Sequence, residues 1–319
     1  MNMNLEQLRG FAEIAQTSHF TRAAERLHVT QPSLSRQIAA LESDLGVELF
    51  HRARGNVSLT AAGERLLPIA KRMLADAHTA ESMMAELAGL QSGRVRLGAT
   101  PTLCTSLVVE VVAEYRKRYP GVDIEILERG SKSLIGALVE GQLDLALIVT
   151  SVPSELDRTV LEREPILSEQ LVVASAADRA WPKKLKTPVA LEALAEEPQI
   201  MFPATYDLRA ALDAEFRGLG LTPTVAVEGV EMDAALRFAE RGLGVVVVPA
   251  MVAVERPTLR VAPLAPPGIA RTVSIARRQD MAPTHAAEAM RALVREVADH
   301  FASGDDRLTR LVRRVGAPL

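Results

Sequence analysis

The sequence predicts a mixed α/β protein built in three successive parts, and three observations carry that prediction. Apolar residues in 1–60 recur at helical spacing in short runs closed by a small hairpin. Residues 59–90 hold one long repeat of three- and four-residue steps, and from Val95 onward short apolar strands alternate with helical patterns. The chain's 319 residues give room for roughly two domains with a sizeable core. Hydrophobic residues at 48% against 24% charged exclude a disordered or collagen-like chain. Lys+Arg 37 against Asp+Glu 40 leaves −3, so no bulk positive charge advertises nucleic acid. A single cysteine, Cys104, excludes an intramolecular disulfide. The amino end lacks the basic and apolar regions of a signal peptide. The longest apolar stretch, 243–254, is broken by Gly244 and Pro249 and falls short of the roughly 20 residues that span a membrane. The expectation is a cytoplasmic protein.

Within the first part, Leu5, Leu8, Phe11 and Ala15 form the inner face of a first helix. Thr21 is read as the N-cap of a second, which turns Ala24 and Leu27 inward. After the turn at 28–30, Thr30 caps a third helix, and Pro32 is tolerated in its first turn because N–H groups there have no intrahelical partner. Leu34, Ile38, Leu41 and Leu45 make its apolar stripe. At about 100° per residue, Pro32, Arg36, Ala39, Ala40 and Ser43 fall opposite, with Ser33 and Ser35 on the flanks. A helix that needed only solubility would carry more charge there. Small residues with Gln31 and Arg36 instead suit close approach to base edges and phosphates, the pattern of a helix-turn-helix.

Residues 49–59 read as a hairpin whose turn is Arg54-Gly55-Asn56, a wing carrying Arg52 and Arg54. Six arginines in 1–60 (Arg9, Arg22, Arg26, Arg36, Arg52, Arg54) face six acids (Glu6, Glu13, Glu25, Glu42, Asp44, Glu48), with no lysine. Affinity for phosphate would therefore depend on where the arginines sit. Leu59, Ala62, Leu66, Ile69, Met73, Asp76, Ala80, Met83, Leu87 and Leu90 then follow a period near 3.5, the seam of a coiled-coil dimer, with Pro68 expected to kink the helix.

The remainder alternates: strand 95–97, helix 103–118, strand 122–127, helix 133–140 and strand 143–149. A second unit starts near 169–174, with strand 199–202, helix 208–219, strand 224–227, helix 232–241 and strand 244–248. The chain returns near Gly268 into strand 272–276 and helix 286–301. Two Rossmann-like α/β lobes leave a cleft at the carboxyl ends of their strands. Strand-to-helix turns there present free N–H groups to anions or carbonyls.

The run from Ala23 through Gln31-Pro32-Ser33-Leu34-Ser35-Arg36 to Ile38, then Leu41-Glu42, Leu45-Gly46-Val47, Leu49-Phe50 and the arginine wing, resembles the LysR-type transcriptional regulator family. Leu138–Ala146 and Gly242-Leu243-Gly244-Val245 before Pro249 match its later landmarks. The resemblance implies a winged helix-turn-helix over 1–59, a linker and dimerisation helix over 60–91, and an effector domain over 92–302 similar to type 2 periplasmic binding proteins. Lobe I would take 92–164 and 268–302, lobe II 165–267, with a tail at 303–319. Gln31, Pro32, Ser33 and Arg36 would face the major groove, Ser35 would support them, and Arg52 and Arg54 would meet phosphate or the minor groove. Thr100, Thr102, Ser131, Thr150, Phe202, Pro203, Glu228 and Val230 would line the effector cleft, where Glu228 would disfavour an anionic ligand. The implied partners are double-stranded operator DNA, a small-molecule effector and further copies of the chain up to a tetramer, with RNA polymerase as a possible further partner.

Two alternatives stay open in the sequence: a solute-binding module without a DNA role, and an enzyme using the cleft. The six histidines show no ligand spacing, so no metal is expected, and no nucleophile, zinc or phosphate-loop motif occurs, so neither catalysis nor a cofactor is expected. Cys104 is read as a structural thiol and 303–319 as a solvated, partly helical tail.

Overall fold

The computed structural model describes residues 3–53, 56–87, 93–150, 161–182, 185–204, 206–254, 256–303 and 310–315, with only the backbone at Arg52, Ala53, Asn56, 85–87 and Thr150. It divides into two compact units: Met1–Gly93 with Gly136–Leu143, and Arg94–Ile135 with Asp144–Leu319.

The first unit opens with α1 (Leu5–Thr17), α2 (Phe20–Arg26) and α3 (Gln31–Leu45). A reciprocal cap starts α1: Asn4 Oδ1 accepts from the Gln7 amide at 2.9 Å, and Gln7 Oε1 accepts from the Asn4 amide at 3.0 Å. Helix α2 begins one residue before Thr21, and its N-cap is His19, whose side chain makes no capping bond. Thr30 caps α3 as expected, accepting from the Ser33 amide, and Gly46 at φ +70° closes it. Leu34, Ile38 and Leu41 are fully buried with Leu8, Phe11 and Ile14, while Leu5 stays exposed. The wing strands β1 (Phe50–Ala53) and β2 (Asn56–Leu59) pair antiparallel. Glu42 Oε1 accepts from the Leu49 and Phe50 amides at 2.8 and 3.3 Å, fixing the wing to α3, and Phe50 packs on Phe11 at 5.3 Å.

Helix α4 (Ala61–Leu87) runs through Pro68 as one element. Its opening turn presses on the wing so closely that a Cβ at Gly63 would overlap the Leu49 carbonyl oxygen. The seam expected from the sequence divides into two. Leu59, Ala62 and Leu66, together with Ala70, join the core of the first unit, so that stretch covers its own domain; Ile69 and Met73 face solvent, as does Met84 beside the seam. The side chain of Leu87 and all of Leu90 lie outside the described residues.

The second unit holds β3 (Gly93–Ala99) from Arg94 onward, α5 (Pro101–Leu103), a π-helical turn (Cys104–Val108) continuous with α6 (Val109–Arg118), β4 (Val122–Glu128), the part of α7 (Ser131–Val139) up to Ile135, and β5 (Leu145–Thr150). Then come β6 (Leu161–Ala176), α8 (Leu191–Glu196), β7 (Gln199–Met201), α9 (Asp207–Gly218), β8 (Val225–Glu228), α10 (Met232–Glu240), β9 (Val246–Pro249) and α11 (Ala250–Ala253). The chain ends with β10 (Leu259–Pro263), β11 (Ala270–Arg278), α12 (His285–Ser303) and β12 (Val312–Arg314).

Strand β6 serves both lobes. Its first ten residues pair with β11 in the sheet of β3, β4 and β5, and its last six pair with β9 and β10. The chain returns beside this crossing, where the Leu171 amide donates to the Ile269 carbonyl at 2.8 Å. The strand starts at Leu161 rather than near Glu169. Its first half hides in the sequence because Glu162 and Glu164 are charged, and because Pro165 sits at a register shift that tolerates its missing N–H. Those acids are matched by Arg291 on α12 at 3.0 and 2.9 Å, and Glu164 is matched also by Arg295 at 2.5 Å.

The tail departs from the expected solvated helix. Among its described residues, Val312 is fully buried and β12 pairs with β6 at Leu167–Glu169, because an apolar residue followed by two arginines completes an open strand edge.

Gly63→Ala should destabilise the first unit by about 1–3 kcal/mol through backbone overlap. Gly136→Ala, on α7 with nothing within 4 Å of its Cβ, should be neutral or stabilising. Urea unfolding followed by circular dichroism distinguishes the two; equal effects would contradict the packing described.

Candidate functional site

Each unit carries one candidate surface. In the first, burial of the α3 stripe turns Gln31, Pro32, Arg36, Ala39, Ala40 and Ser43 outward, with Ser33 and Ser35 half-buried beside them. Gln31 Nε2 donates to Ser35 Oγ at 3.1 Å, so Ser35 orients Gln31 across one helical turn. Arg36 has no ion-pair partner among the described residues, which leaves its planar fork of donors unengaged. The side chain of Arg52 and the whole of Arg54 lie outside the described residues.

In the second unit, a cavity of about 630 Å³ opens where the two lobes meet. Lobe I contributes Thr100, Pro101 and Thr102 after β3 and Gly130 to Ser133 after β4; lobe II contributes Tyr206, Asp207, Leu208 and Ala211. Leu171 and Ile269 to Arg271, the two chain crossings, form part of its wall. Its size lies within the range of small-molecule sites. Ser131 opens α7 at the wall, and its hydroxyl oxygen accepts from the Val149 amide at 3.0 Å, leaving its proton to donate elsewhere.

A buried ion pair sits behind this wall. Arg271 Nε donates to Glu169 Oε2 at 2.8 Å, and its Nη2 lies 2.7 Å from the same oxygen. Glu169 Oε1 accepts from the Met251 amide at 2.7 Å, and Arg271 Nη1 donates to Thr102 Oγ1 at 2.9 Å. With Glu169 fully buried and Arg271 8% exposed at the cavity wall, the carboxylate depends on the guanidinium for its counter-charge. The network joins both crossing strands, the start of α11 and the Thr102 turn.

Thr100, Thr102 and Ser131 thus lie in the cavity wall, whereas Phe202, Pro203, Glu228 and Val230 are not among its lining residues. Phe202 is buried beneath the ring of Tyr206, stacked at 5.5 Å. Glu228 accepts from Arg209 Nη1 at 2.8 Å, so it is matched by a cation instead of repelling a ligand. The side chain of Thr150 lies outside the described residues. Sequence reasoning passed over Leu171, Tyr206, Asp207, Leu208, Ile269 and Arg271. The last is one of three arginines in β11, so its charge alone did not single it out.

Cys104 is half-buried two residues after Thr102, and its thiol is pushed up to about 12, first by burial and then by the nearby Glu128 carboxylate. Tyr206 donates to Glu231, and its phenol is raised by burial, by Glu231 and by Glu128. Among the described residues no cluster of His, Cys, Asp or Glu is arranged to hold a metal, and no helix is long and apolar enough to cross a membrane.

An uncovered third helix in a winged helix-turn-helix, with a lined cleft in a two-lobed domain, defines a DNA-binding regulator with a ligand-binding module. Residues 5–64 match the model of the bacterial regulatory helix-turn-helix proteins of the LysR family, and residues 88–299 match the LysR substrate binding domain. The HTH-type transcriptional regulator IlvR of Caulobacter vibrioides is 33% identical over 88% of this chain and 95% of its own length. The uncharacterised HTH-type regulator YnfL of Escherichia coli is 32% identical over 78% and 83% of the two chains. Among solved structures, full-length OxyR from Pseudomonas aeruginosa superposes with a TM-score of 0.71 at 28% identity, covering 92% and 98% of the two chains. Full-length CbnR complexed with its target DNA gives 0.66 at 24%, covering 92% and 100%, a likeness of fold. The chain belongs to the LysR family of bacterial transcriptional regulators.

Breaking the buried pair with Glu169→Gln should cost about 3–5 kcal/mol, while replacing both partners by methionine should cost far less. Chemical denaturation checks this; equal losses would show that the pair is not what those residues contribute. For Cys104, the unfolded thiol ionises near pH 9 and the folded one near 12. The unfolded state therefore binds fewer protons between those values, and the Cys104 contribution to stability falls as pH rises through that window. Iodoacetamide labelling at pH 9 should be at least about tenfold slower in the folded protein than in urea.

Proposed function

We propose that α3 enters the major groove of operator DNA with Gln31, Pro32, Ser33 and Arg36 toward base edges, Ser35 holding Gln31, and Arg52 and Arg54 of the wing on phosphates. The observation that carries this reading is the outer face of α3: small and polar, with an arginine that has no ion-pair partner among the described residues. Two copies pair through the exposed Ile69, Met73 and Met84 of α4 and present two such helices to a near-palindromic site. Effector domains associate in turn to give a tetramer. CbnR, which shares the fold, is described in complex with its target DNA.

The cleft around Thr100, Thr102 and Ser131 binds a small effector without turning it over. Closure of the lobes about the crossings at Gln170–Leu171 and 268–271 changes the population of DNA-binding arrangements, to the extent that the effector binds one arrangement better. The protein works in the cytoplasm, where DNA and effector are both present.

Arg36→Ala should lose about 1–3 kcal/mol per half-site and relax discrimination at the base it contacts. Titration of a labelled operator by fluorescence anisotropy at fixed salt measures both. Full retention of affinity and discrimination would overturn the role given to this face.

A further inference from the structure

Three charged residues line the cleft of the second unit: Lys132, Asp207 and Arg271. Arg271 is neutralised by Glu169. Lys132 and Asp207 have no ion-pair partner among the described residues, and they belong to opposite lobes. Lys132 stands in the first turn of α7 beside Ser131, whose buried hydroxyl has its oxygen engaged by the Val149 amide and its proton free to give. That side of the cavity offers donors and positive charge, as the amino end of a nine-residue helix reinforces. Asp207 stands at the start of α9 beside Tyr206, whose hydroxyl is already committed to Glu231. That side offers an acceptor with negative charge, which the amino end of α9 offsets only in part. Val149, Leu171, Leu208, Ala211 and Ile269 give the wall an apolar stretch beside the hydroxyls of Thr100, Thr102 and Ser133.

A carboxylate with no other charge would satisfy Lys132 and Ser131 but leave Asp207 facing an anion, and a dicarboxylate would bring a second negative charge to it. A simple amine has the opposite defect at Lys132, and a sugar would leave the apolar wall against hydroxyl groups. We propose that the cleft takes a zwitterion, a free α-amino acid with an apolar side chain, its carboxylate on Ser131 and Lys132 and its ammonium on Asp207. Bridging the two unmatched charges draws the lobes together, so the ligand's own charge pair supplies the differential affinity for a closed form. This rests on the cleft being the effector site and adds the chemical class of the effector.

The test is calorimetric titration of the full-length protein with L-leucine, 4-methylpentanoate and 3-methylbutylamine, the latter two lacking the amino and the carboxylate group respectively. L-leucine should bind, and each analogue should bind at least about tenfold more weakly. Asp207→Asn should weaken L-leucine by a similar factor while relieving 4-methylpentanoate of the facing charge and so strengthening it; Lys132→Gln should likewise weaken L-leucine and strengthen 3-methylbutylamine. Both side chains are exposed, and circular dichroism checks that the variants fold. No binding of L-leucine, L-valine, L-isoleucine, L-methionine or L-phenylalanine would overturn the proposal, as would 4-methylpentanoate binding as tightly as L-leucine. Leu208→Trp, which fills the cavity, separates the two levels. Tight 4-methylpentanoate binding abolished by it sinks the zwitterion and spares the cleft. L-leucine binding that survives it sinks the cleft itself.

Discussion

Leu34, Ile38 and Leu41 can be buried against Leu8, Phe11 and Ile14 only if the opposite side of α3 is left outside. That single geometric demand creates the proposed reading surface. The helix period does not permit Arg36 to join the core, and the even charge balance of the first 60 residues leaves phosphate affinity to the placement of single arginines. Supporting contacts serve the same end. Thr30 and Gly46 bound the helix, Glu42 ties the wing to it, and Gly63 lets α4 close over the wing without displacing it.

The second unit depends on a different constraint, two strands that pass between lobes side by side. Crossing strands bury polar side chains, and the Glu169–Arg271 pair is how this chain offsets that cost. The pair reaches Thr102 in the cavity wall and the Met251 amide of lobe II, so the lining of the cleft and the crossing are one hydrogen-bonded assembly. Strand β12 lies along β6 at the same residues and completes it. A ligand at Thr102 and Ser131 would therefore press on the segment that joins the two lobes.

Legibility of the sequence followed the physical nature of each signal. Caps and 3.6-residue periodicity placed α3 and its outward face to the residue, because a helix this regular has one way to bury its stripe. Alternation of strands and helices gave the two lobes. What escaped was long-range in origin. The first half of β6 looked too charged to be a strand, since the arginines that match Glu162 and Glu164 come from α12, more than a hundred residues later. The tail looked soluble because Val312 shows its value only against the edge of β6. The seam of α4 read as a single stripe, yet its first turns are taken by the domain core, which no heptad count could reveal. In the cleft, hydroxyls on strand-to-helix turns were readable; Tyr206, Asp207 and Leu208 were not, because they belong to the turn that opens α9 rather than to the end of β7.

The chain thus carries a surface fixed by the core beneath α3 and a cleft lined by residues of two lobes joined by two strands. The structure of the protein bound to operator DNA tests the central claim most directly. The account requires the Gln31–Arg36 edge of α3 in the major groove, with the Arg36 guanidinium about 3 Å from a base edge or phosphate oxygen. A complex in which α3 faces away from the duplex, with contact made by some other surface, would contradict it.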